Sequence, residues 1–549
     1  MRPRRLPLSL PLSLPPRAAT ALLVCAVLAA ATGCASLATP ATETGPDRMA
    51  DTRPVRDGGT LTVALKSDPD KLDPTLASTA VGRTVFSAMC EKLYDVDQDN
   101  QVVPQLAAEL PKTTDHGRTV TIRLRKGIRF ADGTRLDARA VKTSLERHKT
   151  LSGSTRAGEL KPVTGVSAIG DDTVRLRLSE PYVPLLSLLA DRSGMVMSPK
   201  ALKTYGDRFA SHPTCVGPFR YAERVVGDRI VLRKDPYYYD AKKVRLDRVV
   251  YRTITDGNVR MANLLSGDIQ VGDQMDPVQV GRALTEPGLQ LFHSPSLGYY
   301  GLTLNIGNTK GAGEPPGRID TPIARDVRVR EAFDLSLDRA LINKIVFQGM
   351  YRPTCGPLPE GTPYAAAADC PPADPARARR LLKQAGVSTP VPVRLQVSTT
   401  PEDSRLGQVV QAMAKEAGFE VTLRPTEFAT GLQHARSGDF QAATTNWSGR
   451  LDPAGNIDAF AGTGGAQNYG GLSDPAIDKL IADGHSTAEV ADRKKIYERL
   501  VAAVRDRHTV LYLIQPDNYV SATKDIAGLR VLGDGLIRVK EAGYTKGDG

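Results

Sequence analysis

The sequence has no apolar stretch long enough to cross a membrane. Its 549 residues are 41% hydrophobic and 24% charged, which is ordinary for globular proteins. The apolar run at residues 18–31 is too short, since a membrane-spanning helix needs about 20 apolar residues. This composition excludes a bundle of membrane helices and a wholly disordered chain, and the length predicts several domains at about 100–200 residues each.

A concentrated basic region is also missing. The chain has 72 Lys and Arg against 61 Asp and Glu, but four of the arginines lie in the first 33 residues and the remaining excess is scattered. Dedicated nucleic-acid binders concentrate their basic residues on one face. The densest basic cluster is typical of a solvated helix face and comprises Arg377, Arg379, Arg380 and Lys383. We therefore expect no nucleic-acid partner.

The motifs of common catalytic and metal centres do not occur. The seven histidines form no HExxH motif, and there is neither a GxSxG nucleophile turn nor a GxxxxGK[ST] phosphate loop. Asp95, Asp97 and Asp99 resemble the start of a calcium loop, but Asn100 stands where Gly is required and Leu106 where Glu is required. We expect a protein that is not an enzyme and has no cofactor and no metal. A secreted hydrolase that uses scattered carboxylates is the alternative.

The first 33 residues are typical of an export signal that precedes a lipid-attachment cysteine. A basic start and an apolar run lead to Ala31-Thr32-Gly33-Cys34, which resembles a bacterial lipobox. Ala31 stands where that pattern prefers Leu, so ordinary cleavage with Cys34 as a free thiol is the alternative. Residues 34–57 are then a flexible tether. We expect an exported lipoprotein anchored to the outer face of the cell membrane.

Four cysteines remain once those at positions 25 and 34 are set aside, and they are Cys90, Cys215, Cys355 and Cys370. An oxidising compartment favours disulfides. Cys355 and Cys370 flank a loop rich in Pro, Gly and Ala, so we expect them to pair and the other two to form a second bridge. Four cysteines allow three connectivities, and the sequence does not select among them. A zinc site is the rival interpretation, but no CxxC spacing and no nearby His supports it.

Hydrophobic periodicity predicts a mixed α/β chain. Strands, some with a following turn, are predicted at residues 60–66, 119–130, 173–178, 219–222, 230–232, 249–254, 301–305, 391–398, 419–424, 440–447 and 509–514. Helical segments are predicted at residues 81–94, 136–150, 326–347, 406–417, 428–437 and 488–507, and a short apolar helix or turn at 181–189. The helix at 136–150 is expected to be capped near Asp137. Strands and helices alternate after residue 300, which favours an α/β layer. We expect the strand at 509–514 to complete a sheet that begins at the N-terminus.

A series of segments in order over residues 58–535 resembles the family 5 extracellular solute-binding proteins. These are the oligopeptide-, dipeptide- and nickel-binding proteins of bacterial ABC importers. The matching segments are LDP at 72–74, EKLY at 91–94, PQLA at 104–107, IRLRKGIRFADGT at 122–134, VGPF at 216–219, LLSGDI at 264–269, Asn305, VRVREAF at 327–333 and ARRLL at 378–382. No single segment is decisive, but their joint order and spacing make the resemblance specific.

The resemblance implies an α/β fold with two hinged lobes, like that of periplasmic binding proteins, and an inserted subdomain in the first lobe. The first lobe would combine residues 58–94, 204–302 and 508–549. The inserted subdomain would comprise residues 95–203, and the second lobe residues 303–507. The chain crossings near residues 302–305 and 508–514 would be the hinge strands.

The resemblance also implies the partners. The protein would capture a small solute, peptide or peptide-like, by hinge closure and deliver it to an ABC permease and ATPase complex. It would act as a monomer that touches the membrane through its lipid anchor only. An envelope receptor or peptide-holding chaperone of the same fold, without transport, is the alternative.

The segment after the only tryptophan, Trp447, bears on the ligand. In peptide-binding members an Asp three residues after a similar Trp holds the peptide α-ammonium, whereas this chain has Ser448, Gly449 and then Arg450. A guanidinium repels an ammonium and suits a carboxylate or phosphate. We expect these four residues to line the ligand site, with Arg450 anchoring an anionic or polyhydroxy group. Alternatively, Arg450 pairs with Asp452 or another acid and only shapes the wall.

Three further residues are candidates for ligand contact. Tyr299 and Tyr300 lie beside the expected hinge and present both a ring and a hydroxyl, although packing alone would also explain them. Asn305 either fixes the backbone at the crossing or faces the site. Trp447 itself would stack on the ligand or fill the core.

Overall fold

A computed structural model describes residues 51–360, 362, 364–365 and 370–546. The export signal, Cys34 and most of the expected tether lie outside the described residues. In the described part, helices α1 to α15 span, in order, Ala80–Met89, Ala138–Thr150, Leu185–Leu188, Pro199–Tyr205, Gly257–Ser266, Pro277–Ala283, Pro322–Arg325, Val327–Leu335, Arg339–Val346, Pro375–Gln384, Pro401–Glu416, Phe428–Ser437, Ala454–Ala461, Pro475–Ser486 and Val490–Arg507. None of the helices in this part of the chain combines the length and apolar character that a membrane crossing requires.

The strands alternate with these helices through most of the chain. Strands β1 to β23 span, in order, Thr60–Leu65, Tyr94–Val96, Val102–Pro104, Lys112–Thr114, Thr119–Arg123, Val163–Ile169, Thr173–Leu178, Phe219–Val225, Arg229–Lys234, Arg248–Thr253, Val271–Gly272, Leu289–Pro295, Tyr299–Leu304, Arg352–Pro353, Val391–Ser398, Phe419–Thr426, Ala442–Trp447, Val510–Gln515, Asp517–Thr523, Ile526–Ala527, Arg530–Val531, Ile537–Arg538 and Gly543–Tyr544. The structure confirms the expected α/β class.

The first large sheet has seven strands in the order β12-β19-β11-β1-β10-β9-β8. Strand β1 lies near its centre and pairs in parallel with β10 and β11. Leu61, Val63 and Leu65 of β1 are buried. Burial is expected for a strand with parallel neighbours on both sides, because connecting elements cover the faces of such a sheet.

The second large sheet has six strands in the order β14-β18-β13-β17-β15-β16. Strands β15 and β16 run parallel over their full length, and β13 lies antiparallel to both β17 and β18. In this register Tyr299 of β13 is the partner of Trp447, the last residue of β17. The sheet therefore fixes the start of the loop that carries Arg450.

A third sheet, of four antiparallel strands in the order β4-β5-β7-β6, lies between β3 and the first 3₁₀ turn at Arg192–Gly194. Strand β7 buries Val174, Leu176 and Leu178, while the two arginines between them are exposed. This is the alternation of a sheet with one solvated face. Helix α2 packs on β6, and Asp137 caps it as predicted by accepting a hydrogen bond from Ala140 N at 2.8 Å.

The chain passes between the two large sheets at two adjacent points. Residues 296–298 connect β12 of the first sheet to β13 of the second, and Pro516 connects β18 of the second to β19 of the first. Ser296 N donates to Pro516 O at 3.3 Å, and Gln515 Nε2 donates to Ser296 O at 3.2 Å. The two crossings are therefore tied to each other by hydrogen bonds.

The strand predicted at 509–514 does not complete the N-terminal sheet, so that prediction is wrong. This strand, β18, pairs with β13 and β14, whereas the next strand, β19, joins the first sheet beside β11. A single residue separates β18 from β19, and both are rich in buried side chains. The hydrophobic pattern therefore does not reveal where the chain changes sheets.

Three predicted elements end earlier than expected. The helix predicted at 326–347 is two helices, α8 and α9, because Asp338 accepts a hydrogen bond from Leu341 N and caps a new helix. The strand predicted at 119–130 ends at Arg123. Helix α1 ends at Met89, since Cys90 leaves helical geometry and forms a disulfide with Cys215. The second disulfide joins Cys355 to Cys370.

Candidate functional site

The loop after β17 is held in one conformation by a single asparagine. Asn456 Oδ1 accepts hydrogen bonds from Trp447 Nε1 and from Arg450 N, both at 2.8 Å. Its Nδ2 donates to Arg450 O at 3.0 Å. Because helix α13 positions Asn456, the tryptophan ring and the Arg450 backbone are fixed relative to each other.

Trp447 and Arg450 contact each other through their side chains. The guanidinium carbon of Arg450 lies 4.3 Å from the centre of the Trp447 ring, a cation–π geometry. The ring also packs edge-on against Phe460 at 4.8 Å. Arg450 Nη1 donates to Gly449 O at 2.7 Å and lies 3.4 Å from Ser448 Oγ. The structure therefore brings the four residues predicted from this segment together.

Gly449 permits a close approach of two backbones at this point. Its φ is +75°, and a Cβ there would lie 2.0 Å from the carbonyl carbon of Leu297. Leu297 belongs to the first crossing between the sheets and bridges to Gly449. The loop that carries Arg450 is thus in direct contact with a chain crossing.

An acid from a distant part of the sequence pairs with Arg450. Asp191, just before the 3₁₀ turn that follows α3, places Oδ2 at 2.9 Å from Arg450 Nε. Its Oδ1 accepts a hydrogen bond from Arg83 Nε of helix α1 at 3.1 Å. One carboxylate therefore pairs with two arginines from different elements, one in α1 and one in the loop after β17.

Two further arginines complete this group, which we call the arginine cluster: Arg83, Arg156, Arg192 and Arg450. Arg192 Nη1 donates to Ala77 O at 2.8 Å, and Arg156 pairs with Glu159 at 2.5 Å. All four side chains are buried or nearly so. The cluster thus contains four guanidinium groups and, in Asp191 and Glu159, two carboxylates.

The charges in the cluster shift one another's ionisation. Burial opposes ionisation of Asp191, but Arg83 and Arg450 outweigh it and hold the pKa of this carboxyl well below its usual value. Burial lowers the pKa of Arg450 to about 10, and the neighbouring arginines oppose the attraction of Asp191. Burial and the charge of Arg156 lower the pKa of Arg192. The positive charges of neighbouring arginines therefore help to lower the pKa of Arg450 and of Arg192.

Asp452 does not pair with Arg450. Its two carboxylate oxygens accept hydrogen bonds from Arg493 Nη1 and Nη2 at 2.7 and 2.8 Å, a two-pronged ion pair. Arg493 lies in α15 and also stacks on Tyr497. The acid beside Arg450 is Asp191, from a distant part of the chain, so Arg450 does pair with another acid, as the alternative interpretation of the sequence expected.

The other three predicted ligand residues are placed mainly in packing roles. Tyr299 is 1% exposed and packs edge-on against Tyr512 and Phe460. Asn305 Nδ2 donates to the carbonyls of Asn308, Gly438 and Phe440, which ties a backbone corner together. Neither of these side chains approaches the arginine cluster through an interaction in the described part of the chain.

Tyr300 lies beside a second polar contact between the sheets. Lys66, which follows β1, places Nζ at 3.0 Å from Glu402 Oε2 of helix α11 and at 3.2 Å from Asp276 Oδ1. Burial opposes the charge of Lys66, but Glu402 and Asp276 outweigh it and raise the pKa of the ammonium. The Tyr300 hydroxyl lies 3.5 Å from the same Glu402 oxygen.

Sequence reasoning missed Arg83, Asp191, Arg192, Lys66 and Glu402. Arg83 lies in an apolar amphipathic helix, and the other four follow strands or begin helices and turns, where charged residues are common. The one available signal was the pair Asp191-Arg192 directly after the apolar run at 181–189. Within the described residues, no group of three or more His, Cys, Asp or Glu side chains is placed to hold a metal ion.

Solved structures with the same architecture identify the class of protein. The AgaA binding protein from A. tumefaciens R10, in complex with agropinic acid, matches with a TM-score of 0.80 and 25% identity over 89% of this chain and 99% of that chain. The Escherichia coli murein tripeptide binding protein MppA matches with a TM-score of 0.81 and 21% identity over 90% of this chain and 99% of that chain. The fold is that of a two-lobed periplasmic binding protein, as expected.

Sequence comparison then gives the family. The profile of the bacterial extracellular solute-binding proteins, family 5, middle region, matches residues 101–468. The glutathione-binding protein GsiB of Pectobacterium atrosepticum is 27% identical over 502 residues, which cover 88% of this chain and 94% of that protein. This chain belongs to the family 5 bacterial extracellular solute-binding proteins.

Proposed function

We propose that the protein captures a small peptide or peptide-like solute outside the cytoplasm and delivers it to the permease of an ABC importer. Its family membership supports a binding role. The relatives bind glutathione, agropinic acid and a murein tripeptide according to their names. The proposed role involves binding and release only, without covalent chemistry.

The observation that carries the proposal is the buried contact of Asp191 with Arg83 and Arg450. In the proposed arrangement, Arg83 and Asp191 belong to the first lobe with its inserted subdomain, and Arg450 belongs to the second lobe. Polar groups of both lobes thus converge at one place beside an aromatic ring. A solute bound there touches both lobes, and it stabilises the closed form only to the extent of those added contacts.

The two crossings between the sheets are the proposed hinge. Residues 296–298 and Pro516 are short, and they are tied to each other by hydrogen bonds. A few residues at element ends are enough to absorb the backbone rotation of domain closure. Because Leu297 contacts Gly449, movement at the hinge is transmitted directly to the loop that carries Arg450.

We also propose that the protein is an exported lipoprotein that acts as a monomer. Removal of residues 1–33 and acylation of Cys34 would leave residues 34–57 as a tether between the membrane and the lobes. The Cys34→Ser variant tests the anchor. It is expected to appear in the soluble extracytoplasmic fraction, whereas the parent protein stays with the membrane; equal fractionation of the two would overturn this part of the proposal.

Native mass spectrometry tests the binding role. Residues 35–549 are purified gently from the native host, and the mass is compared before and after denaturation. We expect a bound species of a few hundred daltons that is released on denaturation and that, when added back, reduces the radius of gyration in small-angle X-ray scattering. A protein that neither carries a solute nor changes compactness with any peptide, sugar or metal chelate tested would overturn the proposal.

A further inference from the structure

The arginine cluster has more positive charge than its own acids neutralise. Arg83, Arg156 and Arg450 pair with the carboxylates of Asp191 and Glu159, and Asp191 is already shared between Arg83 and Arg450. Arg192 pairs with neither carboxylate and donates to the backbone carbonyls of Ala77 and Thr79. Glu159 also accepts a hydrogen bond from Ser193 Oγ at 2.5 Å. Buried charge without a partner is costly, so such a surplus calls for a further negative group.

Two buried donors of the cluster point to where that group belongs. Among the residues that the structure describes, Arg83 Nη1 and Arg192 Nε have no hydrogen-bond partner. Asp191 Oδ2 also makes no hydrogen bond there, although it lies 2.9 Å from Arg450 Nε in an ion pair. Arg83 is 4% exposed and Arg192 is 1% exposed. Buried polar groups in native proteins are almost always hydrogen-bonded, because an unmade bond to a charged group costs free energy. Both donors come from outside the loop that carries Arg450, since Arg83 lies in α1 and Arg192 begins the 3₁₀ turn after Asp191.

Resting on the proposed function, we propose that the solute is acidic and that a carboxylate or equivalent oxyanion binds in the arginine cluster between Arg83, Arg192 and Arg450. The planar guanidinium fork matches the two oxygens of a carboxylate. Arg450 then supplies the contact from the second lobe, and the Trp447 ring covers the guanidinium on its other face. The bound anion thus pairs with arginines of both proposed lobes.

The same geometry disfavours a solute that brings only an ammonium group to this place. Asp191 is the acid beside Arg450, and both of its oxygens already face arginines. An added positive charge would meet four arginines in a buried environment, where like-charge contacts cost several kcal/mol. The positive charge of the arginine cluster therefore favours binding of an anionic solute over a neutral or cationic analogue.

Isothermal titration calorimetry with matched probes tests this selection. The probes are glutathione, which has two carboxylates, and glutathione diethyl ester, in which both are capped. We expect glutathione to bind at least tenfold more tightly than its ester. Ester binding that equals acid binding would overturn the inference while leaving the proposed function intact.

Arginine variants test whether the preference for the acid over the ester arises in the arginine cluster. Arg83→Gln and Arg450→Gln are expected to weaken glutathione binding at least tenfold and to leave binding of the ester nearly unchanged. Arg450→Lys keeps the charge and is expected to lose less affinity for glutathione than Arg450→Gln does. The control is Arg328→Gln, which removes an exposed arginine paired with Asp326 and is expected to have no effect. Equal losses for acid and ester in the cluster variants would mean a structural role only and would overturn the inference.

The co-purified solute separates the two proposals. A bound solute that has a carboxylate, phosphate or sulfonate group supports both. A bound solute with no such group overturns the acidic-solute inference and retains the solute-binding role. If no solute co-purifies and neither probe binds, both proposals fail together.

Discussion

Arg450 Nε lies 2.9 Å from Asp191 Oδ2, which joins the loop after β17 to the turn after α3 by a buried ion pair. The two residues have opposite charge but come from parts of the chain built on different sheets. Their contact places an acid beside the arginine of the proposed binding loop. In the proposed site, the charge that Arg450 presents to a solute therefore depends on how Asp191 is shared.

The first prediction concerns this shared acid. Asp191→Asn keeps the shape of the side chain but removes the charge that faces Arg83 and Arg450. Removing one partner of a buried ion pair leaves uncompensated charge, so we expect the free energy of unfolding to fall by about 3–5 kcal/mol. Urea denaturation at pH 7 measures the change.

The control for this variant is an exposed ion pair. Asp228 pairs with Arg229 at 2.6 Å and is half exposed. Asp228→Asn is expected to cost less than about 1 kcal/mol, as exposed pairs generally do. If Asp191→Asn were as mild as this control, the view of Asp191 as the central counter-ion of the arginine cluster would be wrong.

The local part of the candidate site could be predicted from the sequence. Trp447, Ser448, Gly449 and Arg450 are consecutive, so a strand predicted at 440–447 is enough to place them together at a strand end. Asp137 as a helix cap was predicted for the same reason, because a cap bonds a backbone N–H only three residues away.

The partners of Arg450 could not be predicted, because they depend on which segments the tertiary fold brings together. The segment near Arg450 offered Asp452 as its nearest acid, yet Asp452 is taken by Arg493 of the distant helix α15. The prediction of which sheet contains the strand at 509–514 was wrong for a similar reason. Its buried pattern fits either sheet, and only strand pairing shows that β18 and β19 belong to different ones.

The second prediction concerns Gly449. Gly449→Ala places a Cβ 2.0 Å from the Leu297 carbonyl carbon in a residue with φ of +75°. Gly386 is a matched control, since its φ is +69° but a Cβ there would meet nothing within 4 Å. Both variants have the strain of positive φ, about 1–2 kcal/mol. We expect Gly449→Ala to cost about 1–3 kcal/mol more than Gly386→Ala in urea unfolding, because the crossing must also shift. Equal costs would show that the close approach does not constrain the loop.

The third prediction is a pH dependence centred on Glu91, a buried residue directly after the cysteine of the first disulfide. Burial raises the pKa of Glu91 from 4.5 to about 7, against the hydrogen bonds that Tyr238 and Tyr239 donate to it. Between pH 4.5 and 7 the folded protein keeps this proton while the unfolded chain has lost it. The contribution of Glu91 to stability therefore falls as pH rises, by about 3 kcal/mol over that window.

The Glu91→Gln variant lacks this titration. Its free energy of unfolding relative to the parent protein is expected to improve by about 3 kcal/mol when urea unfolding is repeated at pH 7.5 instead of pH 4.5. Glu498→Gln removes a carboxylate at an exposed position of α15 and is the control, with an expected change in the free energy of unfolding within about 0.5 kcal/mol. A difference from the parent protein that stays constant with pH would contradict the role assigned to Glu91.

The fourth prediction concerns Lys66, whose ammonium lies between Asp276 and Glu402. Lys66 follows the first sheet and Glu402 lies in a helix packed on the second, so their pair links the two sheets without any solute. Glu402→Gln leaves Lys66 with Asp276 and is expected to fold normally. Lys66→Met leaves the buried Glu402 without its cation, whereas Asp276 keeps Arg260, and is expected to be the more destabilising single variant.

A double-mutant cycle over Lys66→Met and Glu402→Gln measures how strongly the two residues are coupled. Because their charged atoms are in contact, we expect a coupling free energy of about 0.5–3 kcal/mol in urea unfolding.

If the pair also holds the lobes together, Glu402→Gln is expected to increase the radius of gyration of the solute-free protein and to leave that of the solute-bound protein unchanged. Additive single variants would contradict the coupling, and an unchanged radius would show that the Lys66–Glu402 pair does not hold the lobes together.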